Sequence, residues 1–163
     1  MKHLLTLLLL CVISTTAFSQ VGLKGINVGD KVNPLELTYN SPNTYYKKST
    51  LGGIEGEIIA LTLNNGTIYR VAFMPNTRIY KTDANHLLSG INTKYSISLT
   101  KKHSSAFSDD WIAGTTKDNI QYFIKAENNK YMTPPCEFVF VIISKTLDII
   151  AKQEAQQAAN SDF

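Results

Sequence analysis

The sequence predicts an α+β fold, an antiparallel β-sheet meander of about six or seven strands with one C-terminal helix packed on it. Three observations carry this prediction. Alternating apolar segments flank Asn64-Asn65-Gly66, a second alternating pair flanks Asp118-Asn119, and a nearly continuous apolar run, Cys136 to Ile143, precedes apolar residues at helical spacing. A small closed barrel with the helix as lid is the alternative arrangement of the same elements.

The N-terminus stands apart from this domain. Met1-Lys-His supplies a short positive region, Leu4 to Ile13 an apolar run, and Ser14 to Gln20 a polar tail of small residues. That order predicts a secretory signal peptide over 1–19, cut after Ser19 in Ala17-Phe18-Ser19, with 20–163 as one globular domain. The run is too short for a comfortable membrane span of about 20 residues, so the mature chain is expected to be periplasmic or secreted and to contain no transmembrane segment. Cleavage removes Lys2 and Cys11, leaving 15 basic and 13 acidic residues and Cys136 as the single cysteine. An internal disulfide is then impossible, and so balanced a charge gives no field to attract nucleic acid.

Along the mature chain, Val21 to Asp30 is Gly-rich with Ile26 and Val28 alternating, and Leu35, Leu37 and Tyr39 predict a short strand. Residues 40–53 carry the turn residues of a long surface loop, with Tyr45, Tyr46, Lys47 and Lys48 as an aromatic-basic cluster at its middle. Tyr and basic side chains are favoured contact residues, so this cluster is a candidate recognition site.

Ile59, Leu61 and Leu63 alternate before Asn64-Asn65-Gly66, and Tyr69, Val71 and Phe73 after it. A two-residue turn would set Arg70 opposite Leu61. A three-residue loop with Gly66 left-handed pairs Leu61 with Tyr69 and Ile59 with Val71, so the apolar pattern predicts the latter, and Gly66→Val is expected to damage register. Beyond Met74-Pro75-Asn76, Arg78 to Lys81 resumes a strand. Thr82 or Asp83 then caps a short helix ended by Gly90, and Tyr95, Ile97 and Leu99 alternate as a strand over 94–102.

In the second hairpin a two-residue Asp118-Asn119 turn pairs Trp111, Ala113 and Thr115 with Ala126, Ile124 and Tyr122. Ile59-Ala60-x-Thr62 and Tyr69 recur as Ile112-Ala113-x-Thr115 and Tyr122, which raises the question of a duplicated hairpin. The run from Cys136 predicts a central strand covered on both faces. Ser144 or Thr146 caps the closing helix, whose stripe is Leu147, Ile150, Ala151, Ala155 and Ala158.

Catalytic signatures are missing. There is no Gly-x-Ser-x-Gly elbow, Walker loop, His-Glu-x-x-His, Cys-x-x-Cys or EF-hand loop. His86 and His103 have no His or Cys neighbour at ligand spacing, so neither a metal nor a cofactor is expected. Cys136 opens the most apolar strand, where burial raises a thiol pKa and blunts its reactivity. The adjacent Asp109 and Asp110 point in different directions, which does not suit paired acid/base work.

Ile26-Asn-Val-Gly-Asp-Lys-Val-Asn-Pro-Leu-Glu-Leu37 resembles the opening of exported thioredoxin-like and peroxiredoxin domains, which commonly begin Gly-Asp-Lys-Ala-Pro-x-Phe-x-Leu. The resemblance covers those residues alone. With no cysteine between 12 and 135 it carries no activity over, and the succession of hairpins departs from the βαβ opening of that fold.

The expectation is therefore a small exported, non-enzymatic binding protein of the cell envelope, of the inhibitor, immunity-type or accessory-subunit class, taking a protein partner at the 40–53 loop. The alternative is a carrier for a small apolar or saccharide ligand in a sheet-helix pocket walled by Trp111, Tyr122 and Phe123. A hydrolase using Cys136 or the Asp109/Asp110 pair is the third reading.

Overall fold

A computed structural model describes residues 21–103 and 109–161; the signal-peptide expectation lies outside them. A two-residue hairpin, β1 (Gly22–Leu23) and β2 (Ile26–Asn27), precedes the strands β3 (Thr38–Ser41), β4 (Thr44–Leu51), β5 (Ile54–Thr62) and β6 (Ile68–Pro75). Helix α1 (Lys81–Tyr95) follows, then β7 (Lys101–His103), β8 (Trp111–Lys117), β9 (Ile120–Asn128), β10 (Cys136–Ser144) and α2 (Lys145–Ser161). The main sheet is open and antiparallel, ordered β3-β4-β5-β6-β10-β9-β8-β7.

That order reads as two four-strand meanders, each followed by a helix and joined where β6 pairs with β10. Position in the sheet makes β5 the counterpart of β9, and Ile54, Ile58 and Ala60 recur there at one spacing as Ile120, Ile124 and Ala126. The recurrence seen in sequence sets β5 against β8 and β6 against β9, positions the topology does not equate, and reflects shared strand chemistry.

Alternation divides the sheet into two faces. On the inner face Ile58, Val71, Phe73, Ile124, Phe140 and Ile142 are fully buried beneath α1, which contributes Ala84, Leu87 and Ile91, and beneath the β1-β2 hairpin, which contributes Leu23 and Ile26. Tyr95 at the end of α1 packs on Tyr122 and Phe140, with ring centroids 5.3 and 5.8 Å apart, and its hydroxyl donates to the Gly22 carbonyl at 2.6 Å. Desolvation there pushes the Tyr95 phenol far above its ordinary pKa.

Several sequence expectations hold. The β8-β9 hairpin has the predicted register, with Asp118 and Asn119 both at positive φ (49° and 64°) as a type I′ turn requires. β10 lies at the centre of the sheet, and the Ser144 hydroxyl caps α2 by accepting from the Leu147 amide at 3.5 Å.

Others are corrected. Residues 40–53 form the β3-β4 hairpin rather than a loop; Asn43 at φ 59° makes the tight turn, and Thr44 to Leu51 are mostly β-forming residues that pair along β5. Helix α1 runs through Gly90 to a left-handed Ser96, because the apolar spacing Ala84, Leu87, Ile91 continues past the glycine. Tyr95 is thus helical, and β7 is only three residues long. Leu35 is 94% exposed in a turn whereas Leu37 is buried, so that segment starts its strand later than expected.

The β5-β6 loop is the predicted three-residue one, with Leu63 paired to Thr67 and Gly66 at φ 79°. A bulge at Leu61/Thr62 then shifts the pairing, giving Leu61 opposite Arg70 and Ile59 opposite Ala72. Arg70 is tolerated on the outer face because Asp148 of α2 lies 3.1 Å from its guanidinium. α2 packs along Leu147, Asp148, Ala151 and Glu154, while Ile150, Ala155 and Ala158 are exposed, so its contact stripe is more polar than the sequence suggested.

Candidate interaction surface

Outward positions of consecutive strands line up across the sheet. Tyr46 of β4 pairs with Ile59, Ile59 with Ala72, Ala72 with Val141, Val141 with Phe123, and Phe123 with Gly114 of β8. This row spans six strands. Its side chains are half-buried, whereas the inner-face neighbours on β5, β6, β10 and β9 are buried. α1 lies on the opposite face, and α2 meets this one only at its lower margin. There Asp148 pairs with Arg70, and the Glu154 carboxylate accepts from the Asn64 amide at 2.9 Å.

Charged residues border the row. Above it stand Lys48, Glu57, Lys125 and Lys102, with Ile112 (39% exposed) and Met74 (45%) among them. At that end Met74 to Arg78 and the neighbouring parts of β9 and β10 enclose a cleft of about 470 Å³. Its charges are internally matched. Arg78 pairs with Glu137 at 2.6 Å and donates to the Pro135 carbonyl at 2.9 Å, and Lys125 pairs with Glu127, which raises the Lys125 pKa. Cross-strand Glu127 and Glu137 would otherwise repel.

Strand geometry separates the residues singled out in sequence. Tyr46, Lys48 and Phe123 share the outer face. Tyr45 and Lys47 turn to the inner face, where Tyr45 meets Tyr39 edge-on at 5.8 Å. Trp111 and Tyr122 are core residues, 5% and 4% exposed, and Lys101 lies 4.7 Å above the Trp111 ring. Successive residues of one strand cannot wall one cavity, so Tyr122 and Phe123 do not form the expected pocket. Ile59, Ala72 and Val141 were missed as surface residues; their signal was alternation within strands whose other face is still more apolar.

The reactive groups are also placed. Cys136 is 1% exposed, and desolvation pushes its thiol up to about 11. Asp109 pairs with Lys81, and Asp110 accepts from the Asn128 amide at 2.5 Å. His86 and His103 are exposed on α1 and β7. Among the described residues no group of three or more His, Cys, Asp or Glu could hold a metal ion, and no helix is long and apolar enough to cross a membrane.

In comparisons with protein-family models, curated proteins and solved structures, nothing matches this chain.

Proposed function

We propose that the chain is a small exported, non-enzymatic protein of the cell envelope that binds a protein partner on the outer face of its sheet. The observation that carries this reading is the half-exposed apolar row Tyr46-Ile59-Ala72-Val141-Phe123-Gly114, left open by both helices. With strands about 4.8 Å apart and outward residues about 6.8 Å apart, three rows across six strands cover roughly 400 Å², of which the apolar central row makes up about one third and the flanking rows mix apolar with charged and polar residues. An exposed apolar stripe rimmed by charged residues is what interaction sites present. The positive, apolar and small-residue order of residues 1–19 supports the exported part of this reading.

The test is expression of the tagged full-length chain in its source cells, followed by cell fractionation and identification of co-purifying proteins. A retained protein in the envelope fraction, either another chain or an untagged second copy co-expressed with the tagged one, that is lost from a Phe123→Lys variant with an unchanged melting temperature, is expected. Equal retention by the variant, or recovery of the chain only from cytoplasm, would overturn the reading.

A further inference from the structure

We propose that the partner seated on this face is a second copy of the same chain, related by a twofold axis parallel to the strands and passing between β6 and β10. The proposal rests on the docking role assigned above to the outer face. Packing two sheets face to face about such an axis exchanges β6 with β10, β5 with β9 and β4 with β8, because the strand order places these pairs equally far from the seam.

The residues that this exchange opposes are complementary. In the central row Ala72 faces Val141 of the other copy, Ile59 faces Phe123, and Tyr46, the bulkiest residue of the left half, faces Gly114, which has no side chain. Each contact occurs twice, as a twofold axis requires. In the row above, Glu57 of β5 and Lys125 of β9 occupy matching positions, so each carboxylate faces an ammonium of the other copy, one that within its own chain also pairs with Glu127, while Lys48 lies opposite Ile112. An axis across the strands would instead set Glu57 against Leu61 and Lys125 against Gln121. Charge and bulk together favour the axis along the strands.

Further out, Glu55, Glu127 and Glu137 form a solvated rim. At the other end the axis brings both α2 helices together, each with Ile149 (57%) and Ile150 (37%) exposed. Two faces of roughly 400 Å² bury less than the ~1,200 Å² at which stable complexes begin, so the dimer is weak and reversible.

Sedimentation velocity on protein produced from the full-length sequence, over a concentration series up to a few hundred micromolar, tests this. The wild-type chain is expected to shift from monomer to dimer. Glu57→Lys and Lys125→Glu should each weaken dimerisation tenfold or more, and the double exchange should restore it. Should the charge variants fold poorly, Gly114→Arg replaces them. A Cβ at this position meets only ordinary contacts, 3.5 Å to the Tyr122 carbonyl oxygen and 3.7 Å to the Phe123 ring, so the monomer should keep its melting temperature and lose the dimer. A wild-type chain that stays monomeric overturns self-pairing, as does a dimer indifferent to these substitutions. Neither result touches the broader docking role, which fails only in the capture experiment with Phe123→Lys.

Discussion

Two strand glycines predict opposite responses to one methyl group. A Cβ on Gly56 of β5 would lie 2.3 Å from the Met74 carbonyl oxygen and 2.7 Å from two carbons of the Phe73 ring. Neither neighbour can yield cheaply: Met74 is backbone in the adjoining strand, and Phe73 is a fully buried part of the core. Overpacking of this kind costs roughly 1–3 kcal/mol, more than the ~0.5–1 kcal/mol recovered by relieving the entropy of glycine in a strand. On Gly114 of β8 the same atom makes ordinary contacts at 3.5 and 3.7 Å, so only the entropy gain remains. At about 3 °C per kcal/mol for a domain of this size, the midrange net cost lowers the Gly56→Ala midpoint of thermal unfolding by about 4 °C, and Gly114→Ala should leave it unchanged or raise it by ~1–3 °C. Calorimetry or circular dichroism at one protein concentration measures both. A Gly56→Ala protein as stable as wild type would refute the packing argument, and so would equal losses at the two sites.

Two further outcomes follow from the titratable groups. Cys136, with its thiol pKa raised to about 11, holds about one part in a thousand as thiolate at pH 8, so native protein should resist alkylation until denaturant is added; rapid labelling of the folded chain would contradict its burial. Burial alone would raise the Asp148 pKa, but hydrogen bonds and charge from Lys152 and Arg70 hold it below the ordinary carboxylate value. A lowered pKa stabilises the fold above the unfolded value near 4, and that contribution disappears as pH falls through the folded one. Asp148→Asn should therefore cost about 0.5–1 kcal/mol at pH 7 in urea titrations and nothing at a pH near 2, whereas a gap independent of pH would show that the ion pair is not the source.

Local chemistry made much of the fold legible. Asp118-Asn119 suits only a tight turn with both residues left-handed, so the β8-β9 register could be read residue by residue. The apolar run of β10 likewise announced a central strand. What stayed hidden depended on distant partners. Arg70 looked misplaced opposite Leu61 because Asp148, which pairs with one end of its guanidinium, comes 78 residues later. Turn-forming residues around Tyr45 to Lys48 outweighed the strand propensity that β5 rewards once it pairs there. For the candidate surface, Phe123, Tyr46 and Lys48 could be named in sequence. Their separation from Trp111, Tyr122, Tyr45 and Lys47 could not, since it needs the register of every intervening strand.

The seam between β6 and β10 bears on how the chain reaches this structure. Each meander is assembled from neighbouring hairpins, whose contacts form early because little chain must be closed. Pairing Phe73 with Phe140 must close a loop of about 67 residues, at an entropic cost near (3/2)RT ln n, or roughly 4 kcal/mol. That cost falls on one event, the docking of two half-sheets, and offsetting it requires that both halves present Phe73, Val71, Phe140 and Ile142 together. Substitutions along the seam should accordingly slow folding, while those near the β3 and β7 edges should mainly hasten unfolding. Until the halves dock, β6 and β10 are themselves unpaired edges, and the chain is most exposed to joining the wrong partner at the strands that end up best protected.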